Sequence, residues 1–124
     1  MASHQTEHFG LHVWEPGDHF LREEFNENFQ ALDAIPEAVT GTYTGDGAGR
    51  QFISLGFTPK AVLAGARGSL GSGRGGLALP GHPCYEVSHG DKVMETAEGG
   101  FYAVKDSWGS MNDSGSTYLY LALR

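Results

Sequence analysis

Apolar residues between positions 21 and 35 follow the period of an α-helix. They recur at steps of four, four, three and three residues, which places them on one helical face: Leu21, Phe25, Phe29, Leu32 and Ile35. Asp18 is positioned to cap the start of this helix, and Pro36 ends it near Ala34. Isolated helices of fewer than ~12–15 residues barely form in water. We therefore expect this face to be buried against the chain's own β domain, sister helices or another protein.

From residue 39 onward, short apolar segments alternate with glycine, proline and polar residues. This pattern is typical of antiparallel β-structure. The predicted strands cover residues 40–44, 51–57, 61–66, 77–79, 84–87, 92–96, 101–105 and 117–123. The sequence therefore predicts a mainly β protein, a glycine-rich antiparallel β-sandwich preceded by a short N-terminal helix.

Glycine marks several of the predicted connections. Gly45-Asp46-Gly47 predicts a hairpin turn between the first two strands. Residues 68–76 contain five glycines in nine positions, which predicts a mobile loop, and residues 107–116 form a second long polar loop. Residues 1–17 are predicted to be irregular, with a turn at 14–17.

The last predicted strand, residues 117–123, is apolar on both faces. Three leucines alternate with two tyrosines and an alanine. A strand of this kind is buried on both sides, either between two sheets or at a subunit interface. Together with the unpartnered helix face, this strand predicts an oligomer.

Charge divides the 124 residues into two predicted domains, an acidic segment over 1–38 and a β domain over 39–124. The first holds eight acidic residues and one basic residue, whereas the second holds seven of each and is neutral. The net charge of −7 therefore resides in the first segment. Nucleic acid requires a basic surface, and an anionic membrane attracts one, so neither partner is expected.

Cysteine content and hydropathy indicate where the protein folds. Cys84 is the single cysteine, so no internal disulfide can form. Residues 1–10 lack the apolar stretch of a secretion signal, and no apolar run approaches the ~20 residues of a membrane span. We expect folding in the cytoplasm, with any other location reached by lysis or a dedicated route.

Two stretches carry a resemblance to a known family. Residues 11–16 and 21–33, which read LHVWEP and LREEFNENFQALD, resemble the N-terminal segment of tail-fibre proteins from phages and prophages of Gram-positive bacteria. Residues 41–47 and 53–63, which read GTYTGDG and ISLGFTPKAVL, resemble the opening of the tip domains that follow in such proteins. The ending, at residues 100–104 and 118–122, is also similar to the closing strands of H-type lectins, which are trimeric sugar-binding sandwiches.

The resemblance implies a homotrimeric module in the tail of a virion. The helix, through Leu21, Phe25, Phe29 and Leu32, would trimerise or attach to a neighbouring tail protein, and the β domain would bind a host surface glycan. No sugar-binding residue of the lectin family can be carried over to this chain. A structural connector or decoration protein without its own ligand is the alternative, and a free bacterial lectin is a third reading.

Candidate ligand-binding residues lie on the two long loops. Arg74 can donate its planar guanidinium to an acidic sugar or a phosphate-bearing polymer. Trp108 can stack on a sugar, while Asn112 and Asp113 can bond to hydroxyl groups. The alternative for Trp108 is packing against the edge of the core.

Other chemistry is less well supported by the sequence. His4, His8 and His12 are four residues apart and would stack on a helix, but a solvated arm explains them, unless a trimer gathers metal on its axis. A zinc site at His82, Cys84 and His89 lacks a fourth ligand. No nucleophile elbow is present, the glycine-rich loop lacks the Lys-Ser/Thr of a phosphate loop, and the chain is far shorter than tail-borne glycosidases. We predict no enzyme activity, no metal and no cofactor.

Overall fold

A computed structural model describes all 124 residues, and strands dominate it. The chain divides into two compact units, Met1–Pro36 and Glu37–Arg124. The elements in order are β1 (His4–Gln5), β2 (His12–Val13), α1 (Arg22–Asp33), β3 (Ala38–Thr44), β4 (Arg50–Ser54), β5 (Ala61–Ala66), β6 (Gly75–Ala78), β7 (Cys84–Tyr85), β8 (Lys92–Ala97), β9 (Gly100–Val104) and β10 (Thr117–Leu123). The protein is thus mainly β, with antiparallel sheets and one short helix. That helix is too short to span a membrane.

The N-terminal unit contains a small hairpin that the sequence did not predict. Strands β1 and β2 pair antiparallel, with His4 opposite Val13. Asp18 does not cap the helix as predicted, because its carboxylate accepts from the backbone N–H groups of Ser3 at 3.0 Å and Glu15 at 2.8 Å. The hydrogen bond from Glu15, followed by those from Ser3, lowers the pKa of Asp18. The N-cap position is Leu21, which has no side-chain capping bond.

The apolar face of α1 is exposed, contrary to the expected burial. Exposure of the face ranges from 38 to 56% for the five predicted residues: Leu21, Phe25, Phe29, Leu32 and Ile35. The only buried residue of the helix is Glu24. No apolar core therefore forms within the N-terminal unit.

The C-terminal unit consists of two four-stranded antiparallel sheets. The strand orders are β3-β10-β5-β6 and β4-β9-β8-β7. Both sheets contribute to one core, with Val62 and Tyr118 from the first sheet and Val93 and Phe101 from the second, all fully buried.

The turn at Gly45–Gly47 is not a hairpin, so that prediction is wrong. Strand β3 pairs with β10, whereas β4 pairs with β9 in the other sheet. The turn therefore carries the chain from one sheet to the other. It is held by the loop between β9 and β10, since Gly45 N–H donates to Ser116 O and Gly47 N–H to Asn112 O, each over 2.9 Å.

Strand β10 lies in the interior of its sheet but is buried on one face only. Tyr118 and Ala122 point inward and are fully buried, whereas the outward Leu119 and Leu121 are 43% and 37% exposed. Burial of both faces, as predicted, does not occur in the single chain. Leu121 lies opposite Leu63 on β5, and Leu63 lies opposite Leu77 on β6. We call the exposed set Leu63, Leu77, Leu119 and Leu121 the leucine face.

Candidate ligand-binding cleft

Two loops meet at one end of the C-terminal unit. The first, residues 67–74, connects β5 to β6, and the second, residues 105–116, connects β9 to β10. Ser110 N–H donates to Gly73 O over 2.8 Å and joins the two. Gly73 has φ +69, and a Cβ there would lie 2.7 Å from Glu86 Cγ. Only glycine satisfies both the left-handed backbone and the close approach.

The middle of the second loop is part of the core. Met111 is fully buried, and its carbonyl accepts a 2.8 Å hydrogen bond from the Tyr43 hydroxyl. Asp113 N–H donates to the Tyr118 hydroxyl oxygen over 3.0 Å. These anchors hold the loop on a rigid support, which is how folded scaffolds present recognition groups.

A cleft of about 240 Å³ lies between the loops. Its polar and aromatic lining comes from both loops: Arg74, Lys105, Asp106, Trp108, Ser110 and Asp113. Three of the four ligand-binding residues chosen from the sequence are among them. The cleft is smaller than the ~300–1,000 Å³ typical of drug-sized ligands, so it can hold only a small group.

An ion pair spans the cleft. Arg74 Nη1 lies 2.7 Å from Asp113 Oδ2, and Lys105 Nζ lies 3.8 Å from Asp113 Oδ1. The side-chain hydrogen bond from Ser110, and then Arg74, lower the pKa of Asp113 against the opposing effect of burial. Asp113 is therefore a carboxylate at neutral pH and can only accept hydrogen bonds.

Trp108 is an exposed ring held in a fixed orientation. Its side chain is 64% exposed, so it does not pack into the core edge. The indole stacks on the His89 imidazole, with ring centroids 4.1 Å apart and an interplanar angle of 9°. Its backbone N–H donates to Asp91 Oδ2 over 2.7 Å. One face of the indole is covered by His89, and the rest remains open to solvent.

Glu86 fixes the turn that carries His89. Its carboxylate accepts from Ser88 N–H at 2.7 Å and His89 N–H at 2.6 Å. Burial acts to raise the pKa of Glu86, but these hydrogen bonds and the nearby His89 outweigh it, so the pKa is lowered. Sequence reasoning considered His89 only as a zinc ligand and missed Glu86, because nothing local links either residue to a tryptophan about twenty residues further along the chain.

Asn112 does not reach the cleft, which corrects its assignment as a ligand-binding residue. It is fully buried. Its side-chain amide donates to Asp46 Oδ1 at 2.6 Å and Ala48 O at 2.9 Å, and its Oδ1 accepts from Asp46 N–H at 3.1 Å. The polar side chain is therefore fully used in joining the loop to the turn between β3 and β4.

The histidines of the N-terminal unit have separate partners. His4 Nε2 lies 2.6 Å from Glu15, whereas His12 lies 3.2 Å from Glu24 and 2.6 Å from Glu27. His8 packs against the ring of Phe9. These residues do not stack on a helix as their spacing suggested, and no group of three or more His, Cys, Asp or Glu residues is arranged to hold a metal ion.

Comparisons with protein-family models, curated proteins and solved structures gave no match for this chain. Its C-terminal unit is a mainly β structure of two packed antiparallel sheets. A rigid end of these sheets carries a small polar cleft with one exposed tryptophan.

Proposed function

We propose that this protein is the structural and receptor-binding module of a phage tail fibre, which acts as a homotrimer and binds a host surface glycan. Glycan binding is proposed because Arg74, Trp108 and Asp113 all line one cleft. Arg74 and Asp113 are 39 positions apart in the chain and come from different loops. The sequence resemblance to tail fibres supports a place in the virion, and no catalytic role is proposed.

The chemistry of the cleft suits a sugar. The open part of the Trp108 ring can pack on sugar C–H groups. Asp113 accepts from hydroxyl groups, and the Arg74 guanidinium donates to them. Because these two groups already hold each other, both are oriented before a ligand arrives, which reduces the entropic cost of binding.

The charge balance favours a neutral glycan over an acidic one. Arg74 and Lys105 are the cations of the cleft, and Asp106 and Asp113 are its carboxylates. Asp113 already neutralises Arg74 at 2.7 Å. A phosphate or a sugar carboxylate would have to displace that carboxylate, whereas vicinal hydroxyl groups can bond to both members of the pair.

The leucine face is the proposed trimer contact. None of the four strands of its sheet contains a charged residue. An exposed, uncharged apolar surface of this kind marks a contact between proteins. Three copies around one axis would present three clefts, so weak binding at each would gain from avidity.

The test is adhesion of the purified protein to host cell walls. Trp108→Ala and Asp113→Ala should stay folded and lose adhesion, because each removes a group that contacts the sugar. Glu98→Ala is the matched control, since it removes an exposed carboxylate from the β8–β9 turn, outside the cleft. If both cleft variants adhere as well as the wild type, the site lies elsewhere. If the wild type never adheres to its host, the structural connector takes the place of the glycan-binding module.

A further inference from the structure

The N-terminal unit exposes almost all of its large apolar side chains. Nine of them lie between 38 and 74% exposed, whereas the only buried residue of α1 is Glu24. A folded unit with apolar residues outside and a carboxylate inside lacks the burial that normally stabilises a domain. Such a surface marks a contact with another molecule.

The exposed residues form a continuous aromatic band. Ring centroids are 4.9 Å apart for Trp14 and Phe20, 5.3 Å for Phe20 and Phe25, and 4.7 Å for Phe25 and Phe29. Phe20, Phe25 and Phe29 are 61, 41 and 56% exposed. We call these three residues, with Leu21 and Leu32 beside them, the aromatic band.

Polar contacts hold a neighbouring face of α1 against the hairpin. Asn28 Oδ1 accepts from His12 N–H at 2.6 Å, and Asn28 Nδ2 donates to His12 O at 3.1 Å. Glu24 accepts from Ala2 N–H at 2.9 Å and lies 3.2 Å from His12 Nδ1. Because hydrogen bonds join the helix to the hairpin, the aromatic band is left free and preformed for a partner.

We infer that the aromatic band binds a basic, amphipathic segment of a neighbouring protein. Met1–Pro36 holds seven carboxylates and one guanidinium, that of Arg22. On the helix, Glu23, Glu27 and Asp33 are exposed. An apolar surface in an acidic setting is complementary to a segment with apolar anchors and lysine or arginine at its margins.

A second copy of the same unit is a poor occupant. Packed helices lie 8–10 Å apart, which is about one Debye length at physiological salt. Two or three acidic units at that distance would repel each other. The aromatic band therefore serves attachment rather than trimerisation, two roles that the sequence left open. This inference rests on the proposed function, that of a module in a phage tail fibre, which requires a contact with a neighbouring tail protein.

The test uses the full chain and two synthetic helical peptides, one of leucine and lysine and one of leucine and glutamate with the same apolar pattern. Fluorescence anisotropy should show binding of the lysine peptide alone, weakened by added salt. Phe25→Ser with Phe29→Ser should weaken it about tenfold or more, as expected for aromatic anchors. Glu23→Gln with Asp33→Asn should also weaken it, whereas Val87→Ser, at an exposed apolar residue outside the leucine face, should not.

Four results would overturn the inference. Equal binding of the two peptides would exclude charge complementarity. Binding of neither peptide, or unchanged binding by the double phenylalanine variant, would show that the aromatic band is not the docking surface. A lower native mass for that variant would make the band a contact between copies. Adhesion to cell walls, measured on the same samples, reports the cleft separately, so failure of one proposal is distinguishable from failure of the other.

Discussion

The side-chain amide of Asn112 donates to Asp46 Oδ1 over 2.6 Å. This contact joins the β9–β10 loop to the turn between the two sheets. Asn112 is fully buried, whereas Trp108, four positions earlier in the same loop, is largely exposed. The loop therefore contains two kinds of residue, those that hold it in place and those that it presents. The two kinds should respond differently to substitution.

Asn112→Ala should lower the free energy of unfolding by about 1–3 kcal/mol, because it empties a fully buried site and removes the hydrogen bonds that Asn112 makes with Asp46 and Ala48. Trp108→Ala should change it by less than ~1 kcal/mol, because the ring is exposed. Chemical denaturation of both variants checks this. Equal stability losses would show that the loop is not divided in this way.

Gly73→Ala should be destabilising by more than ~1 kcal/mol, because the backbone is left-handed and the added Cβ would meet Glu86. Gly71→Ala is the matched control in the same loop, since its Cβ would meet nothing within 4 Å. Thermal unfolding of the pair measures the difference. If the two variants have the same melting temperature, the close approach at Gly73 does not constrain the loop.

Acid should destabilise the protein. The pKa values of Asp18, Asp46, Glu86 and Asp113 are all lowered in the folded chain. A lowered folded pKa contributes stability that is complete above the unfolded value, about 4 for a carboxyl group. That stability is lost as the pH falls through the folded value.

The melting temperature should therefore decrease below about pH 4. For Asp46, hydrogen bonds from Ala48 N–H and then the Asn112 side chain cause the lowering, so Asp46→Asn should decrease the slope of melting temperature against pH. A melting temperature that is constant down to about pH 2 would contradict the lowered values.

Leu63→Gln with Leu121→Gln should dissociate the proposed trimer, because both residues lie on the leucine face. Light scattering should give three times the chain mass of 13.3 kDa for the wild type and a single chain mass for the variant. Leu32→Gln, on the aromatic band, should leave the mass unchanged. A monomeric wild type would contradict the proposed trimer.

Local sequence patterns predicted the elements that local physics determines. The helix ends at Asp33 with Ala34 as its C-cap, close to the predicted end before Pro36, and β5 and β10 have the predicted bounds. Their apolar periodicity and flanking turn residues suffice to define them. Glycine alone suggested a hairpin at Gly45–Gly47, because a tight turn has the same composition whether it joins paired strands or crosses between sheets.

The cleft could be predicted only in part. Arg74, Trp108 and Asp113 were identifiable as polar or aromatic residues on long loops, and they do line one cleft. Asn112 is also a polar residue on a long loop, but tertiary packing buries it. His89 reaches Trp108 only through the fold, so no spacing in the sequence indicates the stack.

Trp108 fluorescence reports whether a glycan binds in the cleft. Trp14 is the other tryptophan, and its indole N–H has no hydrogen-bond partner, so Trp14→Phe leaves Trp108 as the only reporter without removing a hydrogen bond. Titration of this variant with soluble host wall glycan should shift the Trp108 emission in a saturable way, and Asp113→Ala should abolish the shift. Saturable glycan binding, detected by calorimetry, with no change in Trp108 emission would contradict the assignment of the cleft.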